Sequence, residues 1–199
     1  LPVELGIARK SGARLRFQLL ARFGGALVLG MLLNAACSAS DTLQGPGVFR
    51  VGVGNSFAGK WNIDGGFLQF QTDDAVGTNP GTNALGATPG SVVADGITLK
   101  NGGTLQSNAS GIINANRGIT IGEGGGRIVN GALRINSALS GTGNLTLTGS
   151  LAPTATSVAS FFGASPNFSG DVILENGSAV VGISGAIGTG TVRYNAPTT

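Results

Sequence analysis

The sequence contains no histidine and a single cysteine, Cys37. Without histidine, Ser-His-Asp catalysis, Cys-His catalysis and histidine-ligated metal sites are excluded. One cysteine excludes an intrachain disulfide framework. Charged residues make up 11% of the chain, against roughly 25% in ordinary soluble domains. We therefore expect no catalytic, metal-binding or cofactor-binding residues, and no cofactor.

Basic residues are scarce in most of the chain, although the formal net charge is +3. Five of the twelve lie within residues 1–24, where the only acidic residue is Glu4. The rest of the chain carries seven basic and eight acidic residues. Such a body has no basic patch to neutralise a phosphate backbone, so the sequence predicts that nucleic acid is not a partner.

A long hydrophobic run is also missing. The apolar residues 23–33 are too few to cross a bilayer as a helix, which takes about 20 residues. They follow a basic stretch and precede small residues, an order typical of a secretory signal peptide. We predict a helical leader over residues 1–40, cleaved after Ala36 or Ser40, with an ordinary amphipathic or buried helix as the alternative. The residues before Cys37 are similar to the lipoprotein signal pattern but do not match it. No later segment predicts a membrane span in the mature body.

Glycine is what the sequence has in excess, at 36 of 199 residues. It shows no Gly-X-Y period, which excludes collagen. From residue 48 onward, runs of three to five alternating apolar and polar residues are separated by Asn and Gly. This pattern is typical of short, half-buried strands joined by tight turns.

The body also shows internal similarity. Residues 55–66 match residues 166–177 at an offset of 111, and residues 66–69 more weakly match residues 103–106. A short strand pair cannot bury its apolar face alone, whereas stacked coils can. The matched positions include Phe57 with Phe168, Trp61 with Val172, and Asp64 with Glu175.

We therefore predict an all-β fold, a right-handed parallel β-helix (β-solenoid) over residues 41–199. At about 20–25 residues per coil, the body would contain about six to eight coils. A β-sandwich is the alternative. Terminal coils without polar caps expose apolar edges, so the isolated body is expected to be marginally stable or prone to aggregate.

Two segments, residues 54–69 and 167–178, resemble the autotransporter-associated β-strand repeat. The repeat has the typical form Asn-x-(Tyr/Phe)-(Ser/Thr)-Gly, followed by an alternating strand and a Gly-Gly-Thr-Leu turn. The two segments contain Asn-Ser-Phe-Ala-Gly and Asn-Phe-Ser-Gly, each followed by an alternating strand. Residues 95–106 and 116–126 resemble the spacer coils of large bacterial surface proteins of this kind. The resemblance implies a passenger-type β-helix that is exported and displayed at the cell surface or outer membrane, or released outside the cell. It implies no catalytic residues.

The main rival function is that of a β-helical polysaccharide lyase or glycosidase, which needs clustered carboxylates. Only Asp73 and Asp74 are adjacent, and we expect them in a solvated turn. Asp64 and Glu175 are expected to cap turns at corners. The Gly-rich residues 122–127 lack a Lys-Ser/Thr ending and predict a tight corner rather than a phosphate loop.

The aromatic residues present a second choice, between a sugar-stacking platform and a core. The repeat match of Phe57 with Phe168 favours a stacked core or corner role. Trp61 aligns with an inward apolar position and is also expected in the core. The remaining aromatic candidates for such a platform are Phe67 and Phe70.

The sequence thus favours a structural and adhesive segment of an exported surface protein without catalysis. Exposed ladders of Thr, Asn and Ser would supply hydrogen bonds to its partner, which is expected to be a glycan, a surface or a neighbouring cell-surface protein. Two alternatives stay open: a fragment of a β-helical carbohydrate-active enzyme, and a passive stalk with no binding role.

Overall fold

The computed structural model describes residues 28–31, 41–73, 83–108, 110–129, 131–149, 158–175 and 178–195. These residues form eighteen β-strands and contain no helix. Every strand pairing between them is parallel, and the strands assemble into three sheets that together make a β-solenoid of about six coils. The all-β, parallel β-helix prediction is confirmed.

Each sheet takes one strand from successive coils, so its spatial order skips along the sequence. The eight-stranded sheet contains β1 (Val28–Met31), β3 (Val48–Val51), β5 (Phe67–Phe70), β7 (Gly103–Ser107), β10 (Gly126–Val129), β13 (Leu145–Thr148), β16 (Val172–Glu175) and β18 (Val192–Asn195). The six-stranded sheet contains β2 (Asp41–Gln44), β4 (Trp61–Asp64), β6 (Val93–Lys100), β9 (Arg117–Ile121), β12 (Leu139–Gly141) and β15 (Asn167–Phe168). The four-stranded sheet contains β8 (Ile112–Ile113), β11 (Leu133–Ile135), β14 (Val158–Phe161) and β17 (Ser178–Val181).

Coil length follows from the strand register. Asp41 pairs with Trp61, and Ile119 pairs with Leu139, each 20 residues further along the chain. The coil between Trp61 and its partner Ile97 is longer, at 36 residues. Extra residues therefore enter at a corner while the strands before and after stay in register.

The core consists of columns of inward side chains that stack from coil to coil. In the eight-stranded sheet, Leu68, Leu105, Ile128 and Leu147 are successive register partners, and all four are fully buried. Inward positions alternate with outward ones along each strand, as the period of two demands. Each apolar residue thus finds its contacts in the coils above and below.

The predicted helical leader, residues 1–40, lies outside the described residues except for Val28–Met31. These four residues form β1, which pairs in parallel with β3. Within the described ranges, no helix is long and apolar enough to cross a membrane.

The two sequence repeats fare differently in the structure. The weaker match is confirmed, because Leu68 pairs with Leu105 and Gln69 pairs with Gln106. The 111-residue match is wrong in register. Trp61 lies in the six-stranded sheet and Val172 in the eight-stranded sheet, although both are buried and inward. Insertions at two corners make the coils unequal in length, so a fixed offset does not preserve the position around a coil.

The 111-residue match is correct for Phe57 and Phe168, which have equivalent backbone contacts. The carbonyl of Phe57 accepts a hydrogen bond from the Ala87 amide at 2.8 Å, and the carbonyl of Phe168 accepts one from the Thr189 amide at 3.0 Å. Both donors follow a glycine with positive φ. Both Phe side chains are fully buried, which agrees with the predicted core or corner role.

Apolar side chains are exposed on the last two strands of the described chain. Val180 and Val181 on β17 are 47% and 48% exposed, and Val192 and Tyr194 on β18 are 51% and 67% exposed. β17 and β18 are each the last strand of their sheet, so each has one edge that pairs with no strand among the described residues. The expected aggregation of the isolated body stays a prediction.

Glycine at position 143 is required by the close approach of two coils. A Cβ atom there would fall well inside contact distance of the Gly122 carbonyl oxygen. Gly52, by contrast, has no atom within 4 Å of the place its Cβ would take.

We expect Gly143→Ala to lower the free energy of unfolding by about 2 kcal/mol or more, because the backbones of two coils must separate. Gly52→Ala should stay within about 0.5 kcal/mol of the parent. Chemical denaturation followed by circular dichroism measures both. Equal stabilities for the two variants would show that the coils do not approach as closely as described.

Candidate functional site

Most acidic side chains of the body are engaged in ion pairs between different coils. In each of the five pairs the partners are at least 22 residues apart in sequence. The pairs are Lys60–Asp95 at 2.6 Å, Lys100–Asp64 at 3.3 Å, Arg117–Asp73 at 2.8 Å, Arg127–Glu175 at 3.0 Å and Arg193–Asp171 at 2.7 Å. Carboxylates used in this way tie one coil to another.

Asp64 shows how such a residue works. It ends β4, just before Gly65, whose φ is +68°. Its carboxylate accepts hydrogen bonds from the side chains of Asn101 at 2.7 Å and Gln44 at 3.1 Å. These two bonds, followed by the contact with Lys100, lower the pKa of Asp64. The corner position was predicted, but the carboxylate bonds to side chains of the coils on both sides.

Two other carboxylates are shifted in the same direction. Hydrogen bonding from Lys60 lowers the pKa of Asp95. A backbone hydrogen bond from Thr191, followed by one from the Arg193 side chain, lowers the pKa of Asp171. A general acid at neutral pH needs a raised pKa. These three groups are therefore poorly suited to donate a proton.

The prediction that Asp73 occupies a solvated turn is wrong. Its side chain is fully buried, and its Oδ2 atom accepts a hydrogen bond from Arg117 Nε at 2.8 Å. The backbone amide of Asn114 donates to the same oxygen at 3.2 Å. Burial is possible because the guanidinium neutralises the carboxylate. Asp74 lies outside the described residues.

Arg117 itself is anchored at both ends of its guanidinium. Its Nη2 atom donates to the carbonyls of Gly86 at 3.2 Å and Ala87 at 2.9 Å. Asp73 and Gly86 flank the long insertion between β5 and β6, so one buried arginine fastens both sides of that insertion to the solenoid. No local sequence pattern predicts this pair, because its members are 44 residues apart.

Four of the five aromatic candidates for a platform, Phe57, Trp61, Phe70 and Phe168, lie in the core. Trp61 is 1% exposed, and its ring centroid lies 5.0 Å from that of Phe57 and 6.1 Å from that of Phe49. Its indole Nε1 donates to the Leu85 carbonyl at 2.9 Å. Phe70 is also fully buried. The core prediction is confirmed for Trp61 and Phe57. Phe67, another candidate for a platform, is half-buried at the start of β5.

A ladder of polar side chains runs along the outer face of the six-stranded sheet. Asn62 donates to Thr42 at 3.3 Å, and the hydroxyls of Thr120 and Ser140 lie 2.8 Å apart. These bonds satisfy part of the ladder internally. The register partners, in order, are Thr42, Asn62, Thr98, Thr120, Ser140 and Asn167.

A groove of about 670 Å³ lies at the corner between the six-stranded and eight-stranded sheets. The predicted tight turn forms part of its floor, and Gly124 and Gly125 there have φ of +71° and +72°. Sequence reasoning missed the groove, because it arises only where several coils stack. Its lining residues are Gly102, Glu123, Gly124, Gly125, Gly126, Arg127, Thr142, Gly143, Asn144, Thr146 and Ile173.

Some polar groups of this groove have hydrogen-bond partners among the described residues, and others do not. Arg127 Nη1 donates to Thr148 at 2.6 Å and to Glu175 at 3.0 Å. The Asn144 side-chain oxygen accepts from the Asp171 amide at 3.1 Å, which leaves its amide nitrogen without a described partner. The hydroxyls of Thr142 and Thr146 and the carboxylate of Glu123 likewise have no side-chain or backbone partner among the described residues.

Within the described ranges, no group of three or more His, Cys, Asp or Glu residues is placed to hold a metal ion. A scan against protein-family models, a search of curated proteins and a search of solved structures each found no match to this chain.

We expect Arg117→Met to lower the free energy of unfolding by about 3–5 kcal/mol, because it leaves the Asp73 carboxylate buried without its cation. Lys60→Met, which breaks an exposed pair, should cost about 1 kcal/mol or less. Denaturant titration of both variants makes the comparison. The double variant Arg117→Met with Asp73→Asn should be less destabilised than the sum of the single variants, and simple additivity would contradict the coupling.

The lowered pKa values of Asp64, Asp95 and Asp171 predict acid sensitivity. Their contribution to stability is complete above the ordinary carboxyl value of 3.8. It is lost as the pH falls through the lower pKa of each group in the folded state. The free energy of unfolding should therefore decline below about pH 4, and Asp64→Asn should reduce the slope. An unchanged stability down to pH 2 would contradict this account.

Proposed function

We propose that this chain is a structural and adhesive segment of an exported bacterial surface protein, and that it does not act as an enzyme. The proposal follows the resemblance to the autotransporter-associated β-strand repeat, with residues 1–40 as the export leader. The observation that carries it is the set of five ion pairs that link coils, because these pairs assign the carboxylates to holding the scaffold together.

The stacked architecture supports a mechanical role. The inward column of Leu68, Leu105 and Ile128 continues through successive coils of the eight-stranded sheet. Because neighbouring coils share both backbone hydrogen bonds and buried side chains, bending the solenoid would have to disturb both. A stiff rod is a suitable support for presenting binding groups away from a cell surface.

The groove argues against a glycosidase. Two carboxyl groups on either side of the scissile bond are the usual requirement. Among the residues that line the groove, Glu123 is the only carboxylate. Glu175 contacts Arg127 at the edge of the groove and is held there as an ion pair at 3.0 Å. A single free carboxylate supports hydrogen bonding to a ligand better than it supports acid–base hydrolysis.

Outward polar residues supply the adhesive surface. The ladder on the six-stranded sheet offers hydroxyl and amide groups at each coil, and the groove adds further ones from Thr142 and Thr146. Exposed hydroxyl and amide groups can exchange hydrogen bonds with a glycan, an extracellular surface or a neighbouring surface protein.

The test places the full chain on immobilised surfaces of three kinds: neutral polysaccharides, anionic polysaccharides and extracellular-matrix protein. We expect retention on at least one surface, with no release of reducing ends or unsaturated sugars into the supernatant. Reducing-sugar and ultraviolet assays measure the release, and surface plasmon resonance measures the retention.

Glu123→Gln is the matched control, since it removes the only carboxyl group of the groove and keeps its shape. Sugar release by the parent that disappears in Glu123→Gln would establish catalysis and overturn the proposal. Absence of retention on every surface would leave a passive stalk and overturn the adhesive part.

A further inference from the structure

We propose that the groove between the six-stranded and eight-stranded sheets binds a neutral oligosaccharide that lies along the long axis of the solenoid. This inference rests on the proposed adhesive function and assigns it to one place on the molecule. The groove is defined by its eleven lining residues, of which Thr142, Asn144, Thr146 and Glu123 carry the argument.

The lining comes from four successive coils, and this sets the shape of the ligand. Gly102 follows β6, Glu123 precedes β10, Thr142 follows β12 and Ile173 belongs to β16. Neighbouring strands are about 4.8 Å apart, so three steps between coils extend roughly 14 Å. A groove of this length and about 670 Å³ accepts an elongated molecule rather than a single small ion.

The floor is made of backbone rather than side chains. Gly124, Gly125 and Gly143 line it, so no side chain enters the groove from these three positions. At the far side, Ile173 supplies an apolar surface. A sugar ring has this same combination, with C–H groups on its faces and hydroxyls at its edge.

The unengaged polar groups match hydroxyl chemistry. The Asn144 amide nitrogen donates, the Glu123 carboxylate accepts, and the Thr142 and Thr146 hydroxyls do either. A sugar hydroxyl also both donates and accepts, so it can satisfy each of these groups in turn. A few convergent polar groups in a concave site are the usual mark of a specific ligand site.

Charge and apolarity exclude other ligand classes. The only basic side chain that lines the groove is Arg127, and Glu175 already neutralises it at 3.0 Å. Glu123 adds a negative charge, which disfavours a phosphate, a sulfate or an acidic sugar. Ile173 is the only large apolar residue in the lining, which is too little for a lipid or an aromatic ligand.

The test titrates the full chain with neutral linear oligosaccharides (β-1,4-glucan, β-1,3-glucan, α-1,4-glucan and chitin fragments) and with oligogalacturonate as the anionic comparison. Amide chemical shifts in nuclear magnetic resonance spectra give both affinity and location. We expect at least one neutral oligosaccharide to bind, with shifts concentrated at Gly124, Gly125 and Gly143.

Two variants probe the groove without touching the core. Thr142 is exposed, so Thr142→Trp fills the groove from the outside and should weaken binding more than tenfold. Thr146→Val keeps the volume and removes one hydroxyl, which should weaken binding roughly three- to tenfold. Thr88→Val, at an exposed position outside both the groove and the ladder of the six-stranded sheet, is the matched control and should leave affinity unchanged.

The outcomes separate this inference from the proposed function. If the chain is retained on a surface but Thr142→Trp and Thr146→Val bind as the parent does, the groove assignment is overturned and the adhesive role stands. Preference for oligogalacturonate, or no binding of any neutral oligosaccharide, also overturns it. Each variant should melt at the same temperature as the parent, which would show that any loss of binding is local.

Discussion

Parallel stacking of unequal coils is the constraint on which the rest of this molecule depends. No coil has enough apolar surface to fold alone, because its strands are only two to eight residues long and bury their side chains against neighbouring coils. Columns such as Leu68, Leu105 and Ile128 exist because register is kept from coil to coil. Where backbones approach closest, as at Gly143, a side chain has no room. The high glycine content, the buried columns and the bonded side chains at the corners all follow from the stacking of coils in register.

Charge has a structural use in this fold. The described acidic residues are few, and five of them bridge coils. The exposed pairs contribute little individually, since water and salt screen them. The pair of Asp73 with Arg117 differs, because both side chains are almost fully inaccessible and the guanidinium also holds two carbonyls. It acts as a fixed point where the 36-residue coil between Trp61 and Ile97 carries its insertion.

The sequence was sufficient for the fold class, because alternation and glycine-bounded strands are local signals. It also placed Trp61, Phe57 and Phe168 in the core correctly, since each occupies an inward or corner position in its repeat. It failed where the answer depends on which coils become neighbours. The 111-residue match aligned Trp61 with Val172, although the two lie in different sheets. Asp73 was expected in water because nothing near it in the sequence reveals Arg117, and the groove has no sequence signature because its lining comes from four coils.

The 36-residue coil between Trp61 and Ile97 shows where the length of the chain can vary without disturbing the sheets. The strands on either side remain paired in register. The ends of the excursion are held by Arg117 and by other hydrogen bonds, such as those from Trp61 Nε1 to the Leu85 carbonyl and from the Ala87 amide to the Phe57 carbonyl. Chain can therefore be added or removed between Asp73 and Asn83 while the solenoid keeps its dimensions. A new loop with a new surface at this corner needs to preserve Asp73 at one end and the bonded residues 83–87 at the other.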